Sequence, residues 1–399
     1  MNINEILKVC VERRASDVHI KVGSPPVFRI DGQLAPFMEH KRLTQEDVVK
    51  LAFGMMSQPQ RDKFKAKNEA DFAYGVPGLG RFRVNVFMQR GTVGLVMRTI
   101  PTKMASFDEL LLPPVISKLC MESRGMILVT GTTGSGKSTT LASMIDYINS
   151  TRTEHIMTVE DHIEFLHRDK KSLVNQREVG MDTDSFALAL RSAMRQDPDI
   201  ILVGEMRDFD TISVGLTAAE TGHLLLSTLH TVDAGETINR IISVFPPYQQ
   251  KQVRLQLAAV LKGVISQRLV PRADGKGRVP ACEILVATTT VRECIIDPEK
   301  TRQIHDVIAA GGSQYGMQTF DQSLLGLFNK GLITYEEALR RSTNPDDFAL
   351  KIRGIQSTSD LSWEEMAKAG SGGGKQGGGQ QGGQQGGGDT DLKIDRFGE

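Results

Sequence analysis

The chain has 399 residues, of which 40% are hydrophobic and 24% charged, enough for two compact domains of ordinary globular composition. Lys plus Arg and Asp plus Glu number 48 each, and aromatic residues make up only 6% of the chain. This neutral charge and low aromatic content argue against a nucleic-acid partner, so any phosphate-binding site must be local.

Two further features concern the compartment. The four cysteines, at positions 10, 120, 282 and 294, form no CxxC pair, which argues against a zinc knuckle or a disulfide framework and favours a reducing cytoplasm. Charges at Glu5 and Lys8 interrupt the N-terminus, and no apolar run approaches the ~18 residues of a membrane span. We therefore expect an intracellular protein without a signal peptide or a transmembrane segment.

Residues 1–100 are predicted to form a small α/β module. Apolar positions 3, 6, 7 and 10 have helical spacing, Asp31-Gly32 is a hairpin signal, and Thr44 is a helix cap. The predicted elements are helices over 3–14 and 44–55 and strands over 16–20, 27–30, 80–87 and 93–100. Three prolines between Pro101 and Pro114 predict a linker over 101–114.

The pattern changes from residue 115 to about residue 290. Four short apolar runs are continuous rather than alternating, which predicts strands buried on both faces, over 126–130, 156–159, 200–203 and 224–228. Candidate helices fall between them, over 138–148, 185–195 and 211–220. This alternation predicts a parallel sheet covered by helices.

The C-terminal part divides into a helical segment and a tail. Residues 319–328 and 334–341 are amphipathic, and Gly331 between them is a predicted C-cap. From Gly370 to Gly388 the chain holds only Gly and Gln apart from one Ser and one Lys. Because such a segment cannot bury apolar surface, we predict a disordered tail over 361–399.

The segment from Gly131 to Ser138 reads GTTGSGKS and matches the pattern G-x-x-x-x-G-K-[ST] of phosphate-binding loops. Glycines let such a loop turn its amides toward phosphate oxygens, and the following helix adds its positive dipole end. Lys137 would reach the β- and γ-phosphates of ATP, and the hydroxyl of Ser138 would bind Mg²⁺. The predicted nucleotide-binding residues are Thr133, Gly134, Ser135, Gly136, Lys137, Ser138 and Thr139.

Acidic residues and histidines follow the other predicted strands. Glu205 follows the run 200–203 after a single glycine, at the strand end that faces the ligand in parallel nucleotide-binding sheets. There it would orient Mg²⁺ or the attacking water. Glu160, Asp161 and Glu164 end another strand, and one of them would hold the in-line water. The segment 221–231 carries His223 and His230 at its two ends, either as γ-phosphate contacts or as ordinary surface or core histidines.

Four motifs, GTTGSGKS, TVEDHIEF, DPDIILVGEMRD and TGHLLLSTLHT, resemble in order and spacing the Walker A, Asp-box, Walker B and His-box motifs of the secretion ATPase superfamily. Within it, ASDVHI, GRFRVNVF, VMRTIP and QYGMQTFDQSL resemble the type IV pilus retraction ATPases of the PilT/PilU family. The resemblance covers about residues 1–355 and implies an α/β fold. In that fold, a RecA-like parallel-sheet ATPase domain with C-terminal helices, over 115–360, follows a smaller PAS-like α/β domain over 1–100.

The resemblance also implies roles for individual residues. Glu164 matches the catalytic glutamate of the Asp box, Glu205 the Walker B glutamate that serves both catalysis and Mg²⁺, and His230 the His-box residue near the γ-phosphate, with His223 beside it. The N-terminal domain of the family supplies arginines to a nucleotide site, partly across subunits, and Arg83 and Arg98 are the matching candidates, with Arg90 a third. Such an arginine can be worth about 10³–10⁵ in rate.

The implied function is a cytoplasmic homohexameric ATPase that retracts a type IV pilus for twitching motility. The resemblance also implies association with the inner membrane at the pilus base, through the pilus platform protein, and a paralogous retraction ATPase as a further partner. The sequence departs from the family in two places. His162 stands where the Asp box usually has proline, which is expected to alter the loop that holds Glu164. VRECIIDPEK and IHDVIAAGG stand in place of an AIRNLIRE-like motif, which favours an accessory PilU-like paralogue as the alternative. An assembly or secretion ATPase is a third possibility, although the tetracysteine insert common in those proteins is absent.

Overall fold

The computed structural model describes residues 2–352, in which the first hundred residues build a six-stranded sheet with the order β3-β2-β1-β6-β5-β4. Every neighbouring pair in this sheet is antiparallel. The elements in chain order are α1 (Ile3–Glu12), β1 (Asp17–Lys21), β2 (Val27–Ile30), β3 (Gln33–Pro36), α2 (Gln45–Met55), α3 (Gln58–Lys67), β4 (Glu69–Val76), β5 (Gly80–Gln89) and β6 (Thr92–Ile100).

The helices and strands predicted for residues 1–100 are present. Short-range sequence features account for them. In α1 the residues at the helical spacing, Ile3, Ile6, Leu7 and Cys10, are the buried ones, and a reciprocal capping box of Asn2 and Glu5 begins the helix. Prediction omitted β3, α3 and β4. Helix α3 buries only Phe64, and β3 buries no residue, so neither has an apolar pattern to detect.

A seven-stranded sheet follows, with the order β13-β12-β7-β11-β10-β8-β9. All its neighbouring pairs are parallel except the antiparallel edge pair of β12 and β13, so the sheet is mixed. Its elements are α4 (Val115–Leu119), β7 (Gly125–Thr130), α5 (Lys137–Thr151), β8 (His155–Glu160), β9 (Leu173–Glu178), α6 (Phe186–Ala193), β10 (Ile200–Val203), α7 (Phe209–Glu220), β11 (Leu224–Leu229), α8 (Ala234–Ser243), α9 (Pro247–Val260), β12 (Leu261–Pro271) and β13 (Arg278–Val286).

The central strands are buried on both faces, as their continuous apolar runs predict. Successive residues of β10 alternate between two hydrophobic clusters: Ile201 and Val203 belong to one, and Ile200 and Leu202 to the other. The three predicted helices correspond to α5, α6 and α7. The edge strands β9 and β13 and the neighbouring β12 were not predicted, and β9 has no apolar run.

The carboxyl ends of β7, β8, β10 and β11 meet at one edge of this sheet because the strands run parallel. The phosphate-loop motif follows β7, the Asp-box segment follows β8, Glu205 follows β10, and His230 follows β11. The topology therefore collects all four motif segments at the same edge.

The remaining described residues are helical, and Gly331, with a φ of 68°, lies in the turn between the two predicted helices. The helices are α10 (Thr289–Ile296), a 3-10 helix (Pro298–Gln303), α11 (Ile304–Ala310), α12 (Gly312–Tyr315), α13 (Phe320–Asn329), α14 (Tyr335–Arg341) and α15 (Pro345–Ile352). No helix among residues 2–352 has both the length and the apolar character needed to cross a membrane. The predicted tail over 361–399 lies outside the described residues.

Candidate active site

The phosphate loop has the backbone that its glycines predict. Gly131, Gly134 and Gly136 have φ values of 144°, 79° and 93°, in the region that disfavours other residues. A Cβ atom on Gly131 would lie 2.4 Å from the carbonyl oxygen of Gln267, and one on Gly136 would lie 2.7 Å from Nε2 of Gln267. Space and backbone conformation therefore both demand glycine at these two positions.

Gln267 of β12 supports the loop from below. Its Nε2 donates to the Ser135 carbonyl at 2.9 Å, and its Oε1 accepts from the Thr140 hydroxyl at 2.7 Å. The Ser135 hydroxyl is buried and has no hydrogen-bond partner. Sequence reasoning missed Gln267, although a buried polar residue within the apolar strand β12 is the kind of signal that marks such a role.

The Lys137 ammonium lies over the loop. It donates to the carbonyl oxygens of Gly131 at 2.8 Å and Thr132 at 3.1 Å. Burial lowers the pKa of Lys137, and the carboxylates of Glu205 and Glu164 partly oppose this shift. The positive charge is thus held among the loop carbonyls, within electrostatic reach of both predicted acidic residues.

A cavity of about 610 Å³ opens above the loop. It is lined by nine of the twelve predicted site residues: Thr133, Gly134, Gly136, Lys137, Ser138, Thr139, Glu164, Glu205 and His230. Ser135 is buried within the loop, and Arg83 and Arg98 do not line the cavity. Within a single chain, the residues predicted from the four motifs therefore lie together at this cavity, whereas the two arginines do not.

Glu205 and His230 form a cluster with Arg207, which sequence reasoning did not single out. Arg207 Nη2 lies 2.6 Å from Glu205 Oε2, and His230 Nε2 lies 3.6 Å from the same oxygen. Burial and the charges of Lys137 and Arg207 lower the pKa of His230, which favours the neutral form of its imidazole, although Glu205 opposes this shift. The position of Arg207, two residues after Glu205, would have placed it near this carboxylate.

Glu160 and Glu164 face the same cavity with different surroundings. Burial raises the pKa of Glu160 to about 7, although Thr158, Gln176 and the Glu164 amide donate hydrogen bonds to its carboxylate. Glu164 is exposed at the cavity. Two carboxylates near one site with different environments can divide the roles of proton acceptor and structural anchor.

His162 links the cavity to the six-stranded sheet. Its Nδ1 lies 3.4 Å from Oε1 of the buried Glu178, whose Oε2 accepts from Arg81 of β5 at 3.0 Å. The residue that departs from the family's usual proline thus shares a carboxylate with the N-terminal part of the chain.

Arg83 and Arg98 are cross-strand neighbours in β5 and β6. The Arg98 guanidinium donates to Asp17 Oδ1 at 2.9 Å, and its side chain is 70% exposed. Arg90 occupies the turn between the two strands. The predicted catalytic role of Arg83 and Arg98 remains a prediction, because it concerns partly a neighbouring subunit.

His223 lies far from His230, so the expectation that the two stand side by side is wrong. His223 precedes β11 and His230 follows it, and six strand residues span about 20 Å. The His223 imidazole contacts the Ala218 carbonyl through Nδ1 at 2.9 Å. The parallel sheet thus places His223 at the edge opposite the cavity.

The residues at the cavity suit a Mg²⁺ ion that travels with a triphosphate. No group of three His, Cys, Asp or Glu side chains within residues 2–352 could hold a metal by itself. Ser138 and Glu205 do line the same cavity, and Mg²⁺ in proteins commonly binds one or two such groups together with substrate phosphates and water. The donor set therefore fits the ion.

A phosphate loop on a parallel-rich sheet, with acidic residues at the same edge, defines the class of P-loop nucleotide hydrolases. Within that class, the chain belongs to the type II/IV secretion system protein family, whose profile matches residues 1–340. Membership confirms the predicted superfamily and the prediction that the protein is an ATPase.

Three comparisons give the detail. The chain is 48% identical over 352 residues to the type IV pilus retractation ATPase PilT of Pseudomonas aeruginosa. The matched region covers 87% of this chain and all of PilT. It is 40% identical over 363 residues to the type IV pilus ATPase PilU of the same organism, over 90% of this chain and 94% of PilU. A crystal structure of the pilus retraction motor PilT with bound ADP matches with a TM-score of 0.79 and 49% identity, over 87% of this chain and 98% of that one.

The structural likeness confirms the predicted fold class. The ATPase DotB of Legionella pneumophila also matches, with a TM-score of 0.72 and 28% identity, over 89% of this chain and 96% of that one. The predicted division at residues 101–114 stays a prediction, although no helix or strand lies between β6 and α4.

Proposed function

We propose that this chain hydrolyses ATP to retract a type IV pilus. The observation that carries the hydrolysis is the single cavity in which Lys137, Glu164, Glu205 and His230 meet above the phosphate loop. Support for retraction comes from similarity along the whole length of PilT, at higher identity than to PilU.

Binding begins at the phosphate loop. Amides of the loop and the N-terminus of α5 point at the phosphate oxygens, and the Lys137 ammonium exchanges its carbonyl partners for the β- and γ-phosphates. Because the ammonium already lies at the loop, little rearrangement is needed to bind the triphosphate.

Hydrolysis requires a water in line with the γ-phosphate. Glu164, exposed at the cavity, orients this water and accepts its proton. The neutral His230 imidazole offers a hydrogen bond to the γ-phosphate without adding a full charge. Water attacks phosphorus, the bond to the β-phosphate oxygen breaks, and ADP and phosphate are the products.

Ser138 and Glu205 would hold Mg²⁺, Ser138 through its hydroxyl and Glu205 directly or through water. When bound, the ion neutralises charge that develops on the phosphate oxygens. Arg207, 2.6 Å from Glu205, keeps this carboxylate oriented.

The working unit in this proposal is a homohexamer. Arg83 and Arg98 lie away from the cavity of their own chain, as expected of residues that serve the site of a neighbouring subunit. The ring would act in the cytoplasm on the platform protein of the pilus at the inner membrane, alongside a paralogous retraction ATPase. Replacing Arg83 or Arg98 with Ala should lower turnover of the hexamer and leave nucleotide affinity unchanged.

The site is tested by purified variants. Lys137→Ala should reduce ATP turnover about 10²–10³-fold, because a charged group at the reacting phosphate is lost. Glu205→Ala should retain ATP without cleaving it. Lys171→Ala, which removes an exposed lysine outside the cavity, is the matched control and should behave as wild type. Normal turnover of Lys137→Ala or Glu205→Ala would contradict the site.

The direction of work is tested in cells. Deletion of the gene should leave cells with excess pili that do not twitch, because extension continues without retraction. Cells without pili would instead indicate an assembly ATPase. Turnover by the purified protein without any paralogue separates an autonomous motor from an accessory one.

A further inference from the structure

The segment from residue 160 to residue 167 carries Glu164 and contains no helix or strand after β8 ends. One side chain of the edge strand β9 binds it at three points. Gln176 Nε2 donates to Glu160 Oε1 at 3.2 Å and to the Phe165 carbonyl at 2.9 Å, and Gln176 Oε1 accepts from the His167 amide at 2.8 Å. A single planar amide therefore fixes the beginning and the end of the segment.

Glu160 is the inner anchor of this arrangement. Its Oε1 also accepts from the Thr158 hydroxyl at 2.7 Å, and its carboxylate accepts from the Glu164 amide. Strands β8 and β9 pair in parallel with Thr158 opposite Gln176, so the anchor and the amide lie side by side on the sheet. Glu164 is thus bonded through its own backbone to Glu160 and is followed directly by a residue bonded to Gln176.

Gln176 suits this task because its amide supplies two donors and one acceptor, and the segment requires that set. An alanine would release all three contacts. A glutamate would keep the acceptor for His167 but would set a second carboxylate against Glu160.

We propose that Gln176 is a positioning residue for Glu164, which holds the 160–167 segment so that the Glu164 carboxylate faces the bound nucleotide. The inference rests on the proposed role of Glu164 in hydrolysis. Gln176 does not line the cavity, so it acts on the reaction through the segment alone.

The first test compares Gln176→Ala with Asn175→Ala in the full-length protein. Asn175 is the preceding amide residue on β9 and contacts His155 rather than the segment. Gln176→Ala should lower kcat about 10–100-fold, because small displacements of a catalytic group are costly. The KM for ATP should change less than about 3-fold, because the phosphate loop is untouched. Asn175→Ala should match wild type, and binding of ADP by each variant reports whether it folds.

The second test uses Gln176→Glu and pH. When two carboxyl groups share one site, the pKa of one is raised, so the new side chain binds a proton as pH falls and regains a donor for Glu160. The ratio of the kcat of Gln176→Glu to that of wild type should therefore rise as pH is lowered from 8 to about 6. A residue with a merely structural role would give a ratio that does not vary with pH.

Glu164→Gln distinguishes a failure of the hydrolytic role of Glu164 from a failure of the positioning role of Gln176. If Glu164→Gln keeps wild-type turnover, the proposed hydrolytic role of Glu164 fails. If Glu164→Gln is inactive while Gln176→Ala keeps wild-type kcat, or loses only ATP affinity, the positioning role of Gln176 alone is overturned.

Discussion

The two sheets of the molecule handle polar side chains in different ways. In the six-stranded antiparallel sheet, strand ends alternate between the two edges, and Arg83 and Arg98 are cross-strand neighbours that do not line the cavity above the phosphate loop. In the seven-stranded sheet, parallel pairing brings the ends of four strands to one edge and their polar residues into one cavity. Strand direction, more than residue content, decides where a site can form.

The two sheets also differ in how they shift the pKa of a carboxyl group. Asp17 of the antiparallel sheet is buried, which raises its pKa, but hydrogen bonds from Arg98 and Ser16 bring the pKa below its usual value. Glu160 at the edge of the parallel-rich sheet receives only neutral donors, and burial raises its pKa to about 7. The first carboxylate is paired with an arginine, whereas the second anchors the 160–167 segment through neutral donors and keeps a raised pKa.

The largest expected effect comes from the phosphate loop. Gly131→Ala places a Cβ atom 2.4 Å from the Gln267 carbonyl oxygen on a backbone with a φ of 144°. Strain of about 1–3 kcal/mol should lower affinity for ADP about 10–100-fold, measured by calorimetry. The matched control is Gly78→Ala in a turn of the six-stranded sheet. There φ is 75°, and an added Cβ atom would meet no neighbouring atom within 4 Å. Equal losses of affinity in both variants would contradict the comparison.

The next effect is a pH dependence of stability due to Glu160. Its pKa is raised on folding from 4.5 to about 7, so its contribution is fully present below pH 4.5 and is lost as pH rises through about 7. Glu160 should lower the free energy of unfolding by up to about 3 kcal/mol over this range, and Glu160→Gln should remove this contribution when wild type and variant are compared in urea titrations.

Asp17→Asn provides the control of opposite sign. The lowered pKa of Asp17 gives stability that is present above pH 3.8 and lost as pH falls below it. This variant should therefore lower the free energy of unfolding above pH 3.8 and change its pH slope only in the acid limb. If the pH dependence between pH 5 and pH 7 in Glu160→Gln equals that of the wild type, the assignment to Glu160 is refuted.

The smallest effect concerns the ion pair between the two sheets. Arg81→Met leaves the buried Glu178 carboxylate with the His162 ring as its remaining side-chain partner and should lower the free energy of unfolding by about 1–2 kcal/mol. The control, Lys8→Ala, breaks a pair in which both side chains are more than half exposed and should cost under ~0.5 kcal/mol. Chemical denaturation measures both, and similar costs would mean that Glu178 is solvated.

The sequence alone determined the phosphate loop, the four central strands and the acidic residues that follow them. These features are local: a glycine pattern sets the loop, and a continuous apolar run marks a strand buried on both faces. That these strands end at one common edge then follows from the rule that parallel strands present their carboxyl ends together. The convergence of Lys137, Glu164, Glu205 and His230 was therefore predictable without coordinates.

Only the tertiary structure decided which partners support those residues. Strand β9 has no apolar pattern, yet its pairing with β8 brings Gln176 to the Asp-box segment and Glu178 to Arg81. Gln267 reaches the phosphate loop from a strand more than a hundred residues away, and the sheet separates His223 from His230. Such contacts depend on which strands become neighbours, and burial energy summed over the whole fold determines that choice rather than the spacing of nearby residues.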